Sequence, residues 1–501
     1  MASWLAIFIP FVVFLLLFRR RRRNNLPPGP KPWPIIGNLN LIGPLPHHSF
    51  HALSKKYGPI MHLKLGFKDV VVASSADVAR AFLKTHGHNF SSRPPTTAGK
   101  YTAYNYSGML WAPYGPYWRQ ARKIWSTKLV SPNSIKSYEH TRKEEMKSML
   151  NELFTCSGTT ILLKDYVYSL NLNIISRMVF GKKCVTKGQS GFVSWEELRR
   201  LLKEFFLLNT FANIGDLIPC FSFLDLQGYV KRMKDFSVTI DRFLEHVMDE
   251  HEERREGIED YVAKDMVDVL FQVADDPTLE VKLQRHHVKA FIQDLLTGGI
   301  DTSTTTMEWA MSELLKNPKT IKKATEELDR VIGRDRWVEE KDITNLPYIV
   351  AIVKETMRLH PVASLLPAKL AIDDSKVVGY DILKGTQVIV NVWAIGRDPT
   401  IWDNPSEFYP ERFMGKDIDV IGHNFELLPF GAGRRICPGY SLALKVVQSG
   451  LANLVHGFSW SLPGNMTEMD LNMDETLGLT NVKKLSIEAV IKPKLSPHLY
   501  F

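Results

Sequence analysis

Phe430-Gly431-Ala432-Gly433-Arg434-Arg435-Ile436-Cys437-Pro438-Gly439 sets a single cysteine in a glycine-rich turn directly ahead of a helix. Downstream, Leu442, Val446, Val447, Leu451, Leu454 and Val455 recur at helical spacing, which puts Cys437 near that helix's N-terminus. Pro438 is suited to an early helical position. Unpaired backbone N–H groups and the positive end of the helix dipole favour a thiolate there, so the expectation is a lowered thiol pKa and a metal ligand. A free cysteine is more commonly a small buried hydrophobe, and taken on its own the turn leaves that reading open.

Upstream, the longest helical candidate runs from Val288 to Lys316, ahead of Pro318, and contains Gly298-Gly299-Ile300-Asp301-Thr302-Ser303-Thr304-Thr305-Thr306. This is a poor helix composition. Each glycine costs roughly 1 kcal/mol relative to alanine, and Thr and Ser compete for backbone hydrogen bonds. A local violation inside a regular element is where function is expected. The bland alternative is a kinked core helix whose hydroxyls bond back to the preceding turn. Glu355 and Arg358 share one face of a helix that Pro361 terminates, and by themselves read as a solvated bridge worth little. Trp118 and Arg122 sit one helical turn apart, flanked by Arg119, Lys123 and Lys128.

Short β-favouring runs occur at Ile60 to Leu65, Val70 to Ala73 and Val388 to Val392, and elsewhere apolar residues recur mostly at helical spacing. The predicted fold class is mainly α with small β-sheets and no internal repeat. At 501 residues, with 45% hydrophobic and 23% charged side chains, one large globular domain is expected. The four cysteines Cys156, Cys184, Cys220 and Cys437 are widely separated, which argues against a disulfide scaffold or zinc cluster and for a reducing compartment.

Met1 to Phe18 carry no charge and are dominated by Ile, Phe, Val and Leu, and Arg19 to Arg23 follow as an unbroken cationic run. Residues 1–23 are therefore predicted to be a membrane anchor with a basic flank kept cytosolic, near the lower end of the roughly 17 to 25 residues that a span needs. A cleaved signal peptide would carry its positive charges before the apolar run. Residues 24–38, with Pro27-Pro28-Gly29-Pro30-Lys31-Pro32-Trp33-Pro34, are predicted to form a stiff extended hinge, leaving 39–501 as the catalytic domain. Five of the +9 excess charges lie in the arginine run, and no aromatic-basic recognition motif is present, which disfavours nucleic-acid binding.

The turn around Cys437 fills every fixed position of Phe-x-x-Gly-x-Arg-x-Cys-x-Gly, and so resembles the haem-binding loop of cytochrome P-450 monooxygenases. The resemblance spans essentially the whole chain and is greatest to plant microsomal enzymes acting on phenylpropanoids, flavonoids, terpenoids and alkaloids. It implies the P-450 fold and haem b, with Cys437 on the iron, Phe430 packed over that ligand and Arg435 on a propionate. Trp118 and Arg122 match Trp-x-x-x-Arg and would meet one propionate. Gly298 to Thr302 resemble the oxygen-binding motif, in which Thr302 hydrogen-bonds oxygen and Asp301 relays protons. Glu355, Arg358 and Arg412, the last within Pro410-Glu411-Arg412-Phe413, match a buried structural triad. After Leu359-His360-Pro361 the chain departs from its relatives, because proline is displaced by one position to Pro367 and Lys369 stands where arginine or histidine is usual. Lys369 would still offer charge to a propionate, without arginine's fork.

Carried over by position, the substrate pocket would draw on Tyr101 to Trp111, Phe205 to Phe211, Phe291, Leu295, Gly298, Leu365, Leu366, Leu479 and Thr480. The implied reaction is hydroxylation of a small lipophilic plant metabolite at the endoplasmic reticulum membrane. Electrons would come from NADPH through a flavoprotein NADPH-cytochrome reductase, with a cytochrome b-type protein as a second candidate donor. The cationic surface around Arg119 suits an acidic donor. Desaturation, phenol coupling or ring rearrangement is the alternative within the same chemistry, and a membrane haem carrier or sensor without turnover is the alternative outside it.

Overall fold

The computed structural model describes residues 25–183, 195–210, 212–476 and 478–501. The predicted anchor over 1–23, Cys184 and Phe211 lie outside the described residues. The main helices are α1 (Pro116–Ile124), α2 (Glu139–Thr155), α3 (Leu163–Phe180), α4 (Trp195–Thr210), α5 (Tyr229–Arg255), α6 (Arg285–Gly299), α7 (Asp301–Lys316), α8 (Pro318–Val331), α9 (Pro347–Leu359) and α10 (Tyr440–Gly457). Proline punctuates them as its chemistry requires, opening α1, α8 and α9 at the first turn, where its missing N–H costs nothing. At the far end of α9, His360 caps ahead of Pro361.

The centre of the molecule is α7. Every residue from Ser303 to Leu315 is buried, with α3, α6, α8, α9 and α10 packed around it. A helix buried all round needs no polar face, which accounts for its run of small hydroxyl residues and apolar side chains. It is not continuous with α6. The single helix expected over Val288 to Lys316 is interrupted at Ile300, whose φ of −95° and ψ of −67° depart from helical values. Hydroxyls bond back on both sides of the break, Thr302 Oγ1 donating to Gly298 O at 2.8 Å and Thr304 Oγ1 to Ile300 O at 2.8 Å.

The principal sheet has four strands, β1 (Ile60–Leu65), β2 (Lys68–Ala73), β3 (Lys369–Leu370) and β4 (Gln387–Val390), in the order β1-β2-β4-β3. β1 pairs antiparallel to β2 with Ile60 opposite Ala73, β2 parallel to β4 with Val70 opposite Gln387, and β3 antiparallel to β4 with Lys369 opposite Val388. On β2, Val70 and Val72 pack with Phe50 and Met61, while Val71 packs with Phe82 and Val388 on the other face. Coverage of both faces explains an unbroken apolar run where an open sheet would alternate. The Pro-rich segment is no free spacer over residues 25–38. His62 N–H donates to Pro28 O at 2.9 Å, Gly37 bridges Leu65, and a Cβ on Gly29 would lie 1.9 Å from His62 O.

The predicted triad is assembled and buried. Glu355 Oε2 accepts from Arg358 Nε at 2.6 Å, and its Oε1 accepts from Arg358 Nη2 at 2.8 Å, from Arg412 Nε at 2.9 Å and from Tyr409 N–H at 2.8 Å. The spare guanidinium hydrogens reach the carbonyls of Gly396, Pro405 and Glu407 from Arg358, and that of Asp403 from Arg412. Two cations and one carboxylate thus tie α9 to the 396–412 segment that leads into the cysteine turn.

Candidate active site

A cavity of about 360 Å³ lies between α6 and α7 on one side and the cysteine turn with α10 on the other. The turn is shaped by Gly431 and Gly433, at φ of +69° and +70°, in the left-handed region that favours glycine. A Cβ on Gly433 would lie 2.2 Å from Leu83 O. Cys437 faces the cavity, its N–H donating to Phe430 O at 3.0 Å. Gly439 caps α10, which begins at Tyr440, so Pro438 stands just outside the helix and not in its first turn. The backbone N–H groups of Gly439 and Tyr440 favour the thiolate, as does the charge of Arg122. Even so, burial outweighs them and pushes the thiol above its ordinary value, against the expected lowering. A bound metal cation reverses that balance, because a coordinating thiol is deprotonated outright.

On one wall, four cations converge without a carboxylate partner among the described residues. Arg435 donates from Nε to Ser91 O at 2.7 Å and from Nη2 to Ala112 O at 2.6 Å, and its guanidinium stacks on Trp118 at 4.2 Å. Arg122 donates to Ile436 O at 2.8 Å, tying α1 to the residue before the cysteine. Lys369 on β3 is 6% exposed and faces the same cavity. Arg93 completes the group, donating to Leu110 O at 2.9 Å and Ala368 O at 2.9 Å. Burial drives Arg435 down to about 8, assisted by Arg93 and Arg122, and Arg93 down to about 10. Lys369 is pushed well below its ordinary value by burial and then by Arg93 and Arg435. Trp118 Nε1 is buried with no hydrogen-bond partner among the described residues. Crowded cations and an orphaned N–H beside a cavity are the complement of an anionic ligand, and the two carboxylates of haem b fit them.

On the opposite wall, Asp294, Leu295, Gly298, Gly299, Thr302 and Ser303 line the space. The two glycines differ in purpose. A Cβ on Gly298 would meet nothing within 4 Å, leaving backbone open to the cavity, whereas one on Gly299 would lie 2.5 Å from Ile175 Cδ1, so that glycine lets α3 approach. Asp301 does not line the cavity and accepts from Thr480 Oγ1–H at 2.7 Å. Of the expected pocket residues, Phe205, Leu295, Gly298, Leu366, Leu479 and Thr480 reach the cavity. Phe291 does not. It is 1% exposed and stacked on Trp125 at 6.2 Å, a core contact. Leu365 also turns away, bridging Asn391 and packing beside Phe50, Met61 and Val72. From Tyr101 to Trp111 only Met109 and Leu110 contribute, and from the 205–211 stretch only Phe205 and Phe206 among the described residues.

Sequence reasoning missed Arg93 and Asp294. Asp294 accepts from Met109 N–H at 2.5 Å, and burial raises its carboxyl to about 7. An acid in the apolar run Phe291-Ile292-Gln293-Asp294-Leu295-Leu296 was the available signal. Arg93 offered less, being one more basic residue beside prolines.

The family model for cytochrome P450 matches residues 27–487. Trimethyltridecatetraene synthase of Zea mays is 46% identical, over 95% of this chain and 90% of its own. Flavonoid 3'-monooxygenase of Petunia hybrida is 42% identical, over 96% and 95%. A zebrafish cytochrome P450 solved with progesterone superposes with a TM-score of 0.76 at 26% identity, covering 90% of this chain and all of that one. The chain belongs to the cytochrome P450 family and is a haem b-dependent monooxygenase.

Proposed function

We propose that Cys437 ligates the haem iron, that Trp118, Arg122, Arg435, Lys369 and Arg93 hold the propionates, and that the substrate is a small lipophilic plant secondary metabolite. The observation that carries this reading is the convergence of one cavity-facing thiol with four cations that have no carboxylate partner among the described residues, in a space whose apolar lining includes Ile174, Leu295, Val362, Leu366 and Leu479. Haem bound there supplies reductive activation of dioxygen with electrons from NADPH through a reductase. The chain's own residues do the rest. Apolar side chains exclude water and orient the substrate, Thr302 borders the cavity with its hydroxyl bonded back to Gly298 O in the resting protein, and the Asp301 carboxylate passes protons toward that hydroxyl. Thr302→Ala is expected to keep the haem spectrum while diverting electrons to hydrogen peroxide, measured as peroxide per NADPH. Unchanged coupling would remove Thr302 from the proton path.

Flavonoids, phenolics, terpenoids and alkaloids are the substrate classes proposed, following relatives named for flavonoid hydroxylation and for polyene synthesis. A second reading, desaturation or a related oxidation giving an alkene, is favoured by the two maize relatives named as synthases of a tetraene and a triene. Screening a metabolite library for substrate-induced spectral shifts, followed by product mass, separates the readings. Gain of one oxygen supports hydroxylation and loss of two hydrogens supports desaturation.

The protein is further proposed to sit on the endoplasmic reticulum membrane through residues 1–23, with its catalytic domain cytosolic. Among the described residues no helix is long and apolar enough to cross a membrane. Support comes from exposed apolar side chains gathered near the start of the described chain. Trp33, Phe67 and Phe223 are 63%, 52% and 79% exposed, and hydrogen bonds from Gly66 N–H to Ile36 O and from Phe67 N–H to Leu217 O hold their segments together. Without residues 1–23, the protein is expected still to bind neutral lipid vesicles, and Phe67→Asp with Phe223→Asp to weaken that binding about tenfold or more in a sedimentation assay. Binding unaffected by both changes would contradict this membrane face.

A further inference from the structure

Thr480 sits in a stretch whose neighbours are fixed from three directions. Leu479 N–H donates to Thr210 Oγ1 on α4 at 2.6 Å, Asn481 N–H to Val362 O at 2.7 Å, and Trp309 Nε1 on α7 to Asn481 O at 2.9 Å. Thr480, 5% exposed, therefore has a fixed backbone from which its Oγ1–H reaches Asp301 Oδ2 at 2.7 Å. Asp301 opens α7 immediately after the break at Ile300. Its charge is felt by Tyr168 of α3, whose hydroxyl is held protonated chiefly by burial and secondarily by this carboxylate, with Arg199 stacked on the Tyr168 ring at 4.9 Å.

We propose that Thr480 is a positioning residue for the proton relay: its hydroxyl holds the Asp301 carboxylate in one orientation, so that the stretch meeting substrate through Leu479 also aims the acid. This rests on the reading of Asp301 given above. A carboxylate at a helix start has several rotamers, whereas a charge-assisted bond from a donor on a fixed backbone selects one. Proton transfer is sensitive to displacement of the relaying group by an ångström. Thr480 itself passes no proton in this scheme.

The test uses full-length holoenzyme with saturating reductase and no added substrate, so that it does not wait on the substrate's identity. Thr480→Val keeps the side chain's shape and removes the donor, and Thr480→Ser restores the donor. Thr480→Val is expected to slow NADPH oxidation about tenfold and raise its solvent isotope effect, as misplacement of a relay group does. In crystals of the resting protein its Asp301 side chain should be displaced or in several conformers. Thr480→Ser should resemble wild type on both counts, and Thr480→Val should add nothing in an Asp301→Asn background. An unmoved Asp301 with a wild-type rate would overturn the proposal, as would losses that Ser does not rescue or that add to Asp301→Asn. If Asp301→Asn alone behaves as wild type, the relay reading fails and the positioning role fails with it.

Discussion

Glu355→Ala is expected to cost about 3–5 kcal/mol of stability, the penalty for leaving buried charges uncompensated. Glu355 is fully buried, and its carboxylate is the partner of both Arg358 and Arg412, which are 1% and 8% exposed. Without it, two guanidinium groups keep their carbonyl contacts and lose their counter-charge. Native proteins hold only about 5–15 kcal/mol in all, so the loss is a large fraction of the total. The same carboxylate accepts Tyr409 N–H, so the 403–412 segment loosens along with α9. Denaturant unfolding should show the drop, and expression should give little haem-loaded protein. A variant within about 1 kcal/mol of wild type would mean that the cluster is held by its backbone carbonyls alone.

Cys437→Ala is expected to abolish NADPH-dependent product formation outright. The cavity offers the iron one thiol, held in a turn where Gly431 and Gly433, at positive φ, cannot take side chains without strain. Alanine keeps that backbone and removes the donor atom. Haem held only by the cations around Trp118 would lack the electron push a thiolate gives. The measurement is product per haem with reductase present, and activity within tenfold of wild type would refute the assignment.

Much of this site was legible in the chain because its chemistry depends on local spacing. The cysteine turn, the Glu355 and Arg358 pair and the Trp118 and Arg122 pair each lie within one turn of helix or one loop, where sequence separation fixes geometry. What escaped depends on how elements are rotated and covered. Phe291 and Leu295 share a helical face by spacing, yet α6 directs Leu295 to the cavity and Phe291 against Trp125. Leu365 and Leu366 are neighbours in an extended stretch, where successive side chains point to opposite sides, so one faces the sheet's core and the other the cavity. Arg93 becomes a site residue only when Pro367 and Ala368 close over it from the far end of the chain. The direction of the Cys437 thiol shift was missed for a related reason, since depth of burial is a tertiary property and the helix N-terminus is a local one.

The departure at Pro367-Ala368-Lys369 also finds its physical setting. The displaced proline offers its carbonyl to Arg93 Nη1 at 2.5 Å, and Lys369 enters β3 buried, within reach of the charges of Arg93 and Arg435. Lysine's missing fork is thus accompanied by an arginine from elsewhere in the chain, which adds to the positive charge of the wall while its Nε and Nη1 donate to backbone carbonyls.

Whether the Cys437 sulfur holds the haem iron is decided by the carbon monoxide difference spectrum of the reduced, purified protein. The red-shifted Soret band that marks thiolate ligation is expected in wild type and is expected to be absent from Cys437→Ala. A wild-type protein that binds carbon monoxide without that shift, or a Cys437→Ala protein that retains it, would contradict the assignment.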